Sequence, residues 1–364
     1  MNHKKIVPIV FAIFLLTFSS VAFLGVSAAK SEVSTSDSPT TVITTVSANG
    51  LVSISEVNVG NQISSNGSVK VLASGQDLAQ PIALSGGYVY WYNTGSGQLN
   101  RVSDNGGKVD TITTFNLSEG SVYGFVVMGN YVYTTVGALV QKTNIATGAT
   151  TVIENGGMNV ENFGLAVSNK YVFFIKNIDV PRSYNIERMS LTGSDLTTLA
   201  TDPSPIPFQV LYSGGYVYWY DLYTGQIGKV YQDGGSAILL SPAFHPASTS
   251  GYIGIEPLTV VGTHVFWTYN FDIGGVWNNS VFAVTTSGAN FKVLASTLSS
   301  FYGGVAAYKS SVLFANSRSE KLMSVPSTGG TATVLASGYR FRGLAVLGTS
   351  VYSSALDDIV STKA

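Results

Sequence analysis

A short aromatic and β-branched phrase recurs seven times along this chain of 364 residues. Each copy follows a tight turn rich in Gly, Asn or Ser, and its central valine is flanked mostly by aromatic residues. The central valines are spaced 39 to 48 residues apart, and they are Val89, Val132, Val172, Val217, Val265, Val312 and Val351. This period constrains the fold strongly, because each copy must be one supersecondary unit that stacks on its neighbours.

The stretch from residue 82 to 115 shows what one copy contains. Four apolar or alternating runs read as strands, and the segments between them carry the Gly and Asn residues that tight hairpins need. Four strands joined in this way form one antiparallel sheet, and a repeat of ~40–50 residues built from such sheets is typical of a propeller blade. The sequence therefore predicts an all-β fold, a seven-bladed β-propeller. Aromatic side chains such as Trp91 and Trp219, at one phase of the repeat, are expected between blades.

The two ends of the repeat region predict how the wheel closes. The last copy stops after its third strand, at residues 359–361, whereas residues 66–75 match the fourth strand of the sixth copy, residues 330–338. We therefore expect the N-terminal strand to complete the C-terminal blade, which removes an open sheet edge. An alternative is that residues 57–64 also join this blade as its third strand and displace the C-terminal tail.

An aromatic second strand followed by a third strand with a basic residue resembles the YWTD-type and NHL-type propeller repeats. The similarity extends blade by blade over residues 66–364. The stretches that carry it are Tyr90-Trp91-Tyr92-Asn93 with Leu99-Asn100-Arg101-Val102, Tyr218-Trp219-Tyr220-Asp221 with Ile227-Gly228-Lys229-Val230, and residues 185–194. The Thr-Asp of the motif is absent from most copies, and YWTD wheels usually have six blades. The resemblance thus implies the fold and an extracellular binding role, without a receptor function.

The N-terminal composition predicts export. Residues 1–29 combine Lys4 and Lys5 with a long apolar run and a small-residue site at residues 26–28, as in a cleaved signal peptide. The apolar run is also long enough to act as an uncleaved signal anchor. Residues 30–49 are rich in Ser and Thr and predict a flexible spacer. The propeller is expected over residues 50–364, in a secreted or surface-tethered protein.

Composition narrows the chemistry. There is no Cys, so the exported domain must rely on core packing, and it has no thiol nucleophile or Cys-based metal site. The 19 Lys and Arg residues against 20 Asp and Glu residues leave no basic excess to follow a phosphate backbone, so nucleic-acid binding is disfavoured. Three acceptor motifs predict N-glycosylation in turns or loops, at Asn66, Asn116 and Asn278.

Propellers usually bind ligands on the face that carries the loops between second and third strands. These loops hold polar or acidic residues, and two of them, residues 177–184 and 270–279, are longer than the others. The ligand-face candidates are Asn93, Asp179, Arg182, Tyr184, Asp221, Asp272, Trp277, Asn316 and Asp357. No cofactor and no metal-ligand set is indicated, although such oxygen donors leave open a structural or channel cation such as calcium.

These features favour a binding module for a protein or glycan partner, with a membrane link only through an uncleaved anchor. One alternative is an extracellular lyase, lactonase or glycosidase with His245 and Glu256 in acid–base roles. A second alternative is a structural component of a surface layer or filament. The sequence leaves the oligomeric state and the identity of the partner undetermined.

Overall fold

A computed structural model describes strand residues 43–46 and 52–55, together with residues 69–77, 79–243, 258–273, 276–297 and 303–364. All of them belong to one compact unit, Pro39–Ala364. The unit is all-β, with seven antiparallel blades arranged as a propeller, as the sequence predicts. Its one short 3₁₀ helix among the described residues is Leu117–Glu119. The predicted signal segment, residues 1–29, lies outside the described residues.

Blades 1 to 4 follow one another along the chain, each running from the inner to the outer strand. Blade 1 comprises β4 (Ala79–Ser85), β5 (Tyr88–Asn93), β6 (Gln98–Ser103) and β7 (Asp110–Thr114). Blade 2 comprises β8 (Val122–Met128), β9 (Tyr131–Val136), β10 (Leu139–Asn144) and β11 (Thr150–Asn155). Blade 3 comprises β12 (Val160–Val167), β13 (Tyr171–Asp179), β14 (Arg182–Ser190) and β15 (Thr197–Thr201). Blade 4 comprises β16 (Pro207–Ser213), β17 (Tyr216–Asp221), β18 (Ile227–Tyr231) and β19 (Ile238–Leu239).

Blades 5 to 7 complete the ring and include the N-terminal strands. Blade 5 comprises β20 (Leu258–Val261), β21 (His264–Ile273), β22 (Val276–Thr285) and β23 (Lys292–Thr297). Blade 6 comprises β24 (Val305–Tyr308), β25 (Ser311–Asn316), β26 (Lys321–Pro326) and β27 (Thr333–Ser337). Blade 7 comprises β28 (Leu344–Leu347), β29 (Ser350–Ala355), β30 (Asp358–Lys363) and the N-terminal strand β3 (Lys70–Ala73).

The closure predicted from the sequence is confirmed. β3 pairs with β30 in antiparallel register, with Val71 opposite Val360, so the N-terminal strand is the outer strand of the C-terminal blade. Because β30 pairs with β29 on its other side, the C-terminal tail holds the third position itself. The alternative in which residues 57–64 displace that tail is therefore wrong; those residues lie outside the described ranges.

An N-terminal hairpin joins the inside of the wheel. β1 (Ile43–Val46) and β2 (Val52–Ser55) pair with each other, and β1 pairs with β24, the inner strand of blade 6. The hairpin also contacts the inner strands β20 and β28 of the neighbouring blades. β1 falls within residues 30–49, where composition predicts a flexible spacer. Its β-branched Ile-Thr-Thr-Val run suits a strand, and β24 offers an open inner edge.

The blades pack through large aromatic and aliphatic side chains, as expected from the repeat. Trp91, Trp219 and Trp267 are completely buried and occupy the same phase of their second strands. Each belongs to an apolar cluster that joins two adjacent blades. Burying a side chain of this size stabilises the fold by about 2–3 kcal/mol. This packing accounts for the aromatic phrase that recurs in the sequence.

The basic residue of the third strand has a structural role in blades 1 to 4. It lies over the ring of the first tyrosine of the second strand, within 4.1 to 4.5 Å of the centroid, in the pairs Arg101–Tyr88, Lys142–Tyr131, Arg188–Tyr171 and Lys229–Tyr216. In three of these pairs the same cation also donates to a carbonyl in the next blade, at Leu191, Gln232 and Thr286. The residues behind the YWTD-like resemblance therefore join neighbouring blades.

Both predicted long loops are instead extended β-hairpins. β13 and β14 pair without a gap from Tyr171–Ser190 to Asp179–Arg182, and β21 and β22 pair up to Ile273 and Val276. Polar residues are compatible with such strands, because alternate positions of a strand face opposite sides of the sheet and only one side has to be apolar. Asn278 is consequently a strand residue, opposite Phe271, and its predicted position in a loop is wrong.

Candidate functional site

The connections of the wheel divide between two faces. In an antiparallel four-stranded blade, the links between second and third strands lie at the same end as the links to the next blade. We call this end the hairpin face, and the opposite end, with the remaining turns, the turn face. The two extended hairpins of blades 3 and 5 both rise on the hairpin face. This face is therefore the more elaborated surface of the molecule.

The tip of blade 3 exposes apolar side chains. Met158 is 91% exposed and Val180 is 75% exposed, the two highest values among the large apolar side chains of the described residues. The Asp179 N–H donates to the carbonyl of Asn159 at 2.9 Å, which brings the segments carrying Met158 and Val180 together. Pro181, at the turn, is exposed as well. The result is a small apolar knob on the hairpin face.

An open cleft of about 630 Å³ lies beside this knob, between blades 3 and 4. Its wall from blade 4 includes Tyr223, whose side chain is 45% exposed. The residues that line it are Arg182, Tyr184, Asp202, Ser204, Pro205, Ile206 and Tyr223. Met158, Val180, Pro181, Arg182 and Tyr223 together are called the contact patch below.

Hydrogen bonds fix the floor of the cleft. The Tyr184 side chain is buried, and its hydroxyl accepts hydrogen bonds from Nε and Nη2 of Arg182, at 3.2 and 2.5 Å. The Tyr184 N–H donates to the Asp202 carboxylate at 2.7 Å, while the Asp202 N–H donates to the Tyr184 carbonyl at 2.6 Å. Arg182 itself remains exposed at the rim, so a cation borders an aromatic and aliphatic surface.

Three of the predicted ligand-face residues are buried inside their own turns. Asp221 is 0% exposed, and its carboxylate accepts hydrogen bonds from the N–H groups of Ile206, Tyr223 and Thr224 and from the Thr224 hydroxyl. The Asn93 side chain accepts from the Trp91 indole at 3.0 Å. Asn316 accepts from the Ser319 N–H at 3.0 Å. The Asp221 and Asn316 side chains therefore support their own turns, whereas the Asn93 side chain bonds to Trp91 and Gln76.

The other predicted candidates are distributed more widely. Asp179 and Asp357 are exposed on the hairpin face, in blades 3 and 7. Asp272 and Trp277 lie opposite each other in β21 and β22. His245, Glu256 and Asn66 lie outside the described residues. Of the predicted candidates, Arg182 and Tyr184 line the cleft. The sequence does not indicate Met158 and Tyr223, because isolated side chains of this kind in turns form no recognisable pattern.

Asn116 is the predicted glycosylation acceptor whose side chain the structure describes. It precedes the short helix Leu117–Glu119, and its side-chain oxygen accepts from the N–H and the hydroxyl of Ser118, at 3.1 and 2.8 Å. The residue is exposed on the connection between blades 1 and 2. Its modification remains a prediction.

Two carboxylates lie near the inner end of the blade 3 hairpin. Glu161, on β12, is directly opposite Asn177 on β13. Burial raises the pKa of the Glu161 carboxyl, and the nearby Asp179 carboxylate raises it further. The same Glu161 charge, after burial, contributes to raising the pKa of Tyr123 to about 12. Glu161 and Asp179 are thus close enough for their charges to interact.

The N-terminal hairpin lies on the inner side of the wheel. The β1–β2 hairpin lies against the inner strands of blades 5, 6 and 7. Within the described ranges, no group of three or more His, Asp or Glu side chains converges as a metal site would require. No helix in the described part of the chain is long and apolar enough to cross a bilayer.

Comparisons with known proteins give the fold. No family model matches the chain, and no curated protein matches it. Among solved structures, an oligogalacturonate lyase in complex with manganese is similar over 87% of this chain and 98% of its own, with a TM-score of 0.60 at 10% identity. The extracellular domain of a hybrid two-component system from B. thetaiotaomicron is similar over 85% of this chain and 40% of its own, with a TM-score of 0.58 at 9% identity.

A computationally designed protein, Ika8, is similar over 81% of this chain and 98% of its own, with a TM-score of 0.54 at 14% identity. At these identities the similarities show a shared fold and nothing about chemistry. The count of seven blades comes from the strand order of this chain.

Proposed function

We propose that this chain is an extracellular binding module that recognises a protein partner through the contact patch on its hairpin face. The observation that carries the proposal is the exposure of Met158 and Val180, on two segments joined by a backbone hydrogen bond, near a cleft lined by Arg182 and Tyr223. Secretion or surface tethering rests on the predicted signal segment and remains part of the proposal.

The residue types of the patch favour a protein over a glycan. Met, Tyr and Arg are enriched at protein interfaces, where aromatic and arginine side chains supply much of the binding energy. A glycan site would need several polar groups around a flat aromatic ring, whereas the knob presents Met158, Val180 and Pro181. The rigid blades beneath hold the knob and the cleft in one arrangement, which limits the entropy lost on binding.

A site-specific photo-crosslinker tests the proposal in the source cells. The crosslinker replaces Met158 in the full chain, and a matched chain carries it at Leu347, which is 40% exposed on the turn face. We expect a protein adduct from position 158 and not from position 347. Val180→Ser combined with Tyr223→Ser should lower the yield of that adduct at least tenfold, as loss of two central contacts does.

Two results would contradict the proposal. Equal adducts at both positions would show non-specific contact, and no adduct at position 158 would exclude a protein on the patch. A purified chain that binds a glycan array, with binding lost in Tyr223→Ala and kept in Leu347→Ala, would replace the protein by a glycan. The alternatives of an enzyme and of a surface-layer component remain predictions from the sequence.

A further inference from the structure

Three oxygen-bearing side chains gather at the base of the blade 3 hairpin. Because Glu161 and Asn177 are direct partners in the antiparallel ladder, their side chains project from the same side of the blade, with Cβ atoms about 5 Å apart. Asp179, two residues further along β13, projects from that side as well. Tyr184, the partner of Asn177 on β14, lines the cleft, so this side of the sheet is the one that faces blade 4.

The side-chain oxygens of Asn177 and Glu161 are hydrogen-bond acceptors, and none of the described residues donates to them. The Asn177 side chain is 8% exposed, and its Oδ1 atom is buried without a hydrogen-bond partner. Glu161 is half-buried, and its carboxylate has neither a hydrogen bond nor an ion pair with any described residue. A buried acceptor without a hydrogen bond destabilises the fold, because it loses its hydration without compensation. The buried Asn177 Oδ1 and the half-buried Glu161 carboxylate, which has no ion pair, are two neighbouring oxygen ligands that a cation can bind.

The nearest cation along the sheet is engaged elsewhere. Arg182 is the ladder partner of Asp179, yet its guanidinium donates to the Tyr184 hydroxyl. No ion pair joins Arg182 to either carboxylate within the described residues. The charge of Asp179 instead adds to the cost of ionising Glu161. Neither carboxylate is therefore in an ion pair with a described residue.

We propose that Glu161, Asn177 and Asp179 form a binding site for a divalent cation, and that the cation is calcium. Two carboxylates and an amide oxygen are hard ligands, which suit Ca²⁺ and not the thiolate- or imidazole-preferring transition metals. Calcium accepts irregular sets of six to eight oxygens and completes its shell with water, so three protein ligands are compatible with a weak extracellular site. Magnesium requires a stricter octahedral geometry.

The ion would link the inner strand of blade 3 to its extended hairpin. Glu161 belongs to β12, whereas Asn177 and Asp179 belong to β13, directly before the exposed tip at Val180. Bound calcium would hold that tip against the wheel. The site itself does not depend on whether the contact patch binds a protein.

Calorimetric titration of the full chain with CaCl₂, after removal of metals with EDTA, tests the site. We expect one ion per chain with a Kd on the order of 10⁻⁴–10⁻³ M, as in extracellular calcium modules. Glu161→Gln and, separately, Asp179→Asn should each weaken binding at least tenfold. Asn177→Asp should tighten it, because a third carboxylate joins the ligand set. Asp357→Asn, which removes an exposed carboxylate from the same face, should leave the Kd within twofold.

A different physical outcome would overturn the proposal. If Glu161 is protonated, its O–H can donate to Asn177 Oδ1 and satisfy both groups without a metal. In that case CaCl₂ at up to roughly ten times the expected Kd produces no binding heat. An unchanged Kd in both Glu161→Gln and Asp179→Asn would equally reject the site. Circular dichroism of each variant confirms that the loss is not unfolding.

Discussion

Two acidic side chains in neighbouring blades, Asp221 and Glu161, differ in the hydrogen bonds that they accept. Asp221, in the turn of blade 4, is 0% exposed and receives four hydrogen bonds, three of them from backbone N–H groups. Glu161, on the inner strand of blade 3, is half-buried and receives none from the described residues. Burial alone therefore does not say what a carboxylate does in this wheel.

The difference follows from local backbone structure. A turn exposes several N–H groups that lack partners, and an Asp at its first position can satisfy them, which is why Asp and Asn are common there. Within a paired strand the neighbouring N–H groups already bond across the ladder, so Glu161 meets only side chains. A satisfied carboxylate stabilises the fold, whereas an unsatisfied one points to a ligand.

The largest expected effect comes from removing the satisfied carboxylate. Asp221→Ala should lower the free energy of unfolding by about 3 kcal/mol, because four hydrogen bonds to a buried carboxylate are lost. Denaturant titration followed by circular dichroism measures it, with Asp357→Ala, an exposed Asp in the corresponding turn of blade 7, as the matched control. A loss no larger than that of the control would show that the turn hydrogen bonds contribute little.

Neutralising the unsatisfied carboxylate should have the opposite sign. In EDTA at neutral pH, Glu161→Gln should raise the free energy of unfolding slightly, by about 1 kcal/mol or less, because a charge that burial disfavours is removed. Thermal unfolding followed by circular dichroism measures the change. In saturating CaCl₂ the same variant should be less stable than the wild type. If the variant is destabilised in EDTA as well, Glu161 has a partner that supports its charge, and the contrast with Asp221 fails.

The pH dependence sharpens the same contrast. The pKa of Glu161 is raised in the folded state by burial and by Asp179, so the folded chain binds a proton more tightly than the unfolded chain. Stability in EDTA should therefore fall as pH rises from the ordinary Glu range through the raised pKa. Thermal midpoints across this window, compared with Glu161→Gln, isolate the effect, since Glu187 and Asp358 also have raised pKa values and are present in both chains. Identical slopes would assign the titration to those residues.

The smallest effect on stability should come from the contact patch. Met158→Ser removes an exposed side chain that packs little against the wheel, so the free energy of unfolding should change by less than ~0.5 kcal/mol. The same denaturant titration measures it. A loss comparable to that of Asp221→Ala would mean that Met158 is a packing residue, and the patch would lose its claim to be a binding surface.

The sequence predicts the wheel well because the repeat is reinforced at several levels. Gly-bearing turns, buried tryptophans and apolar inner strands recur at one phase, and the match between residues 66–75 and 330–338 predicts the closure. The extended hairpins were predicted as loops because Asn177, Asp179 and Pro181 resemble a turn when read along the chain. Only the strand register shows that Asn177 and Asp179 lie on the same side of a sheet.

The candidate site was predictable in part for the same reason. Arg182 and Asp179 stand out in a sequence, since charged residues are scarce in this chain. Glu161 does not stand out, because the sequence alone does not indicate that Asn177 lies opposite it in the sheet. The missing donor at Asn177 Oδ1 depends on three strands meeting in one register, which is a property of the packed structure.

A crystal structure of the full chain grown in CaCl₂, compared with one grown in EDTA, tests the contrast most directly. We expect a peak bound by Glu161, Asn177 Oδ1 and Asp179 at roughly 2.3–2.6 Å, present only with calcium, with Asp221 unchanged in both crystals. A Glu161 carboxyl within hydrogen-bonding distance of Asn177 Oδ1, and no peak in either crystal, would contradict it.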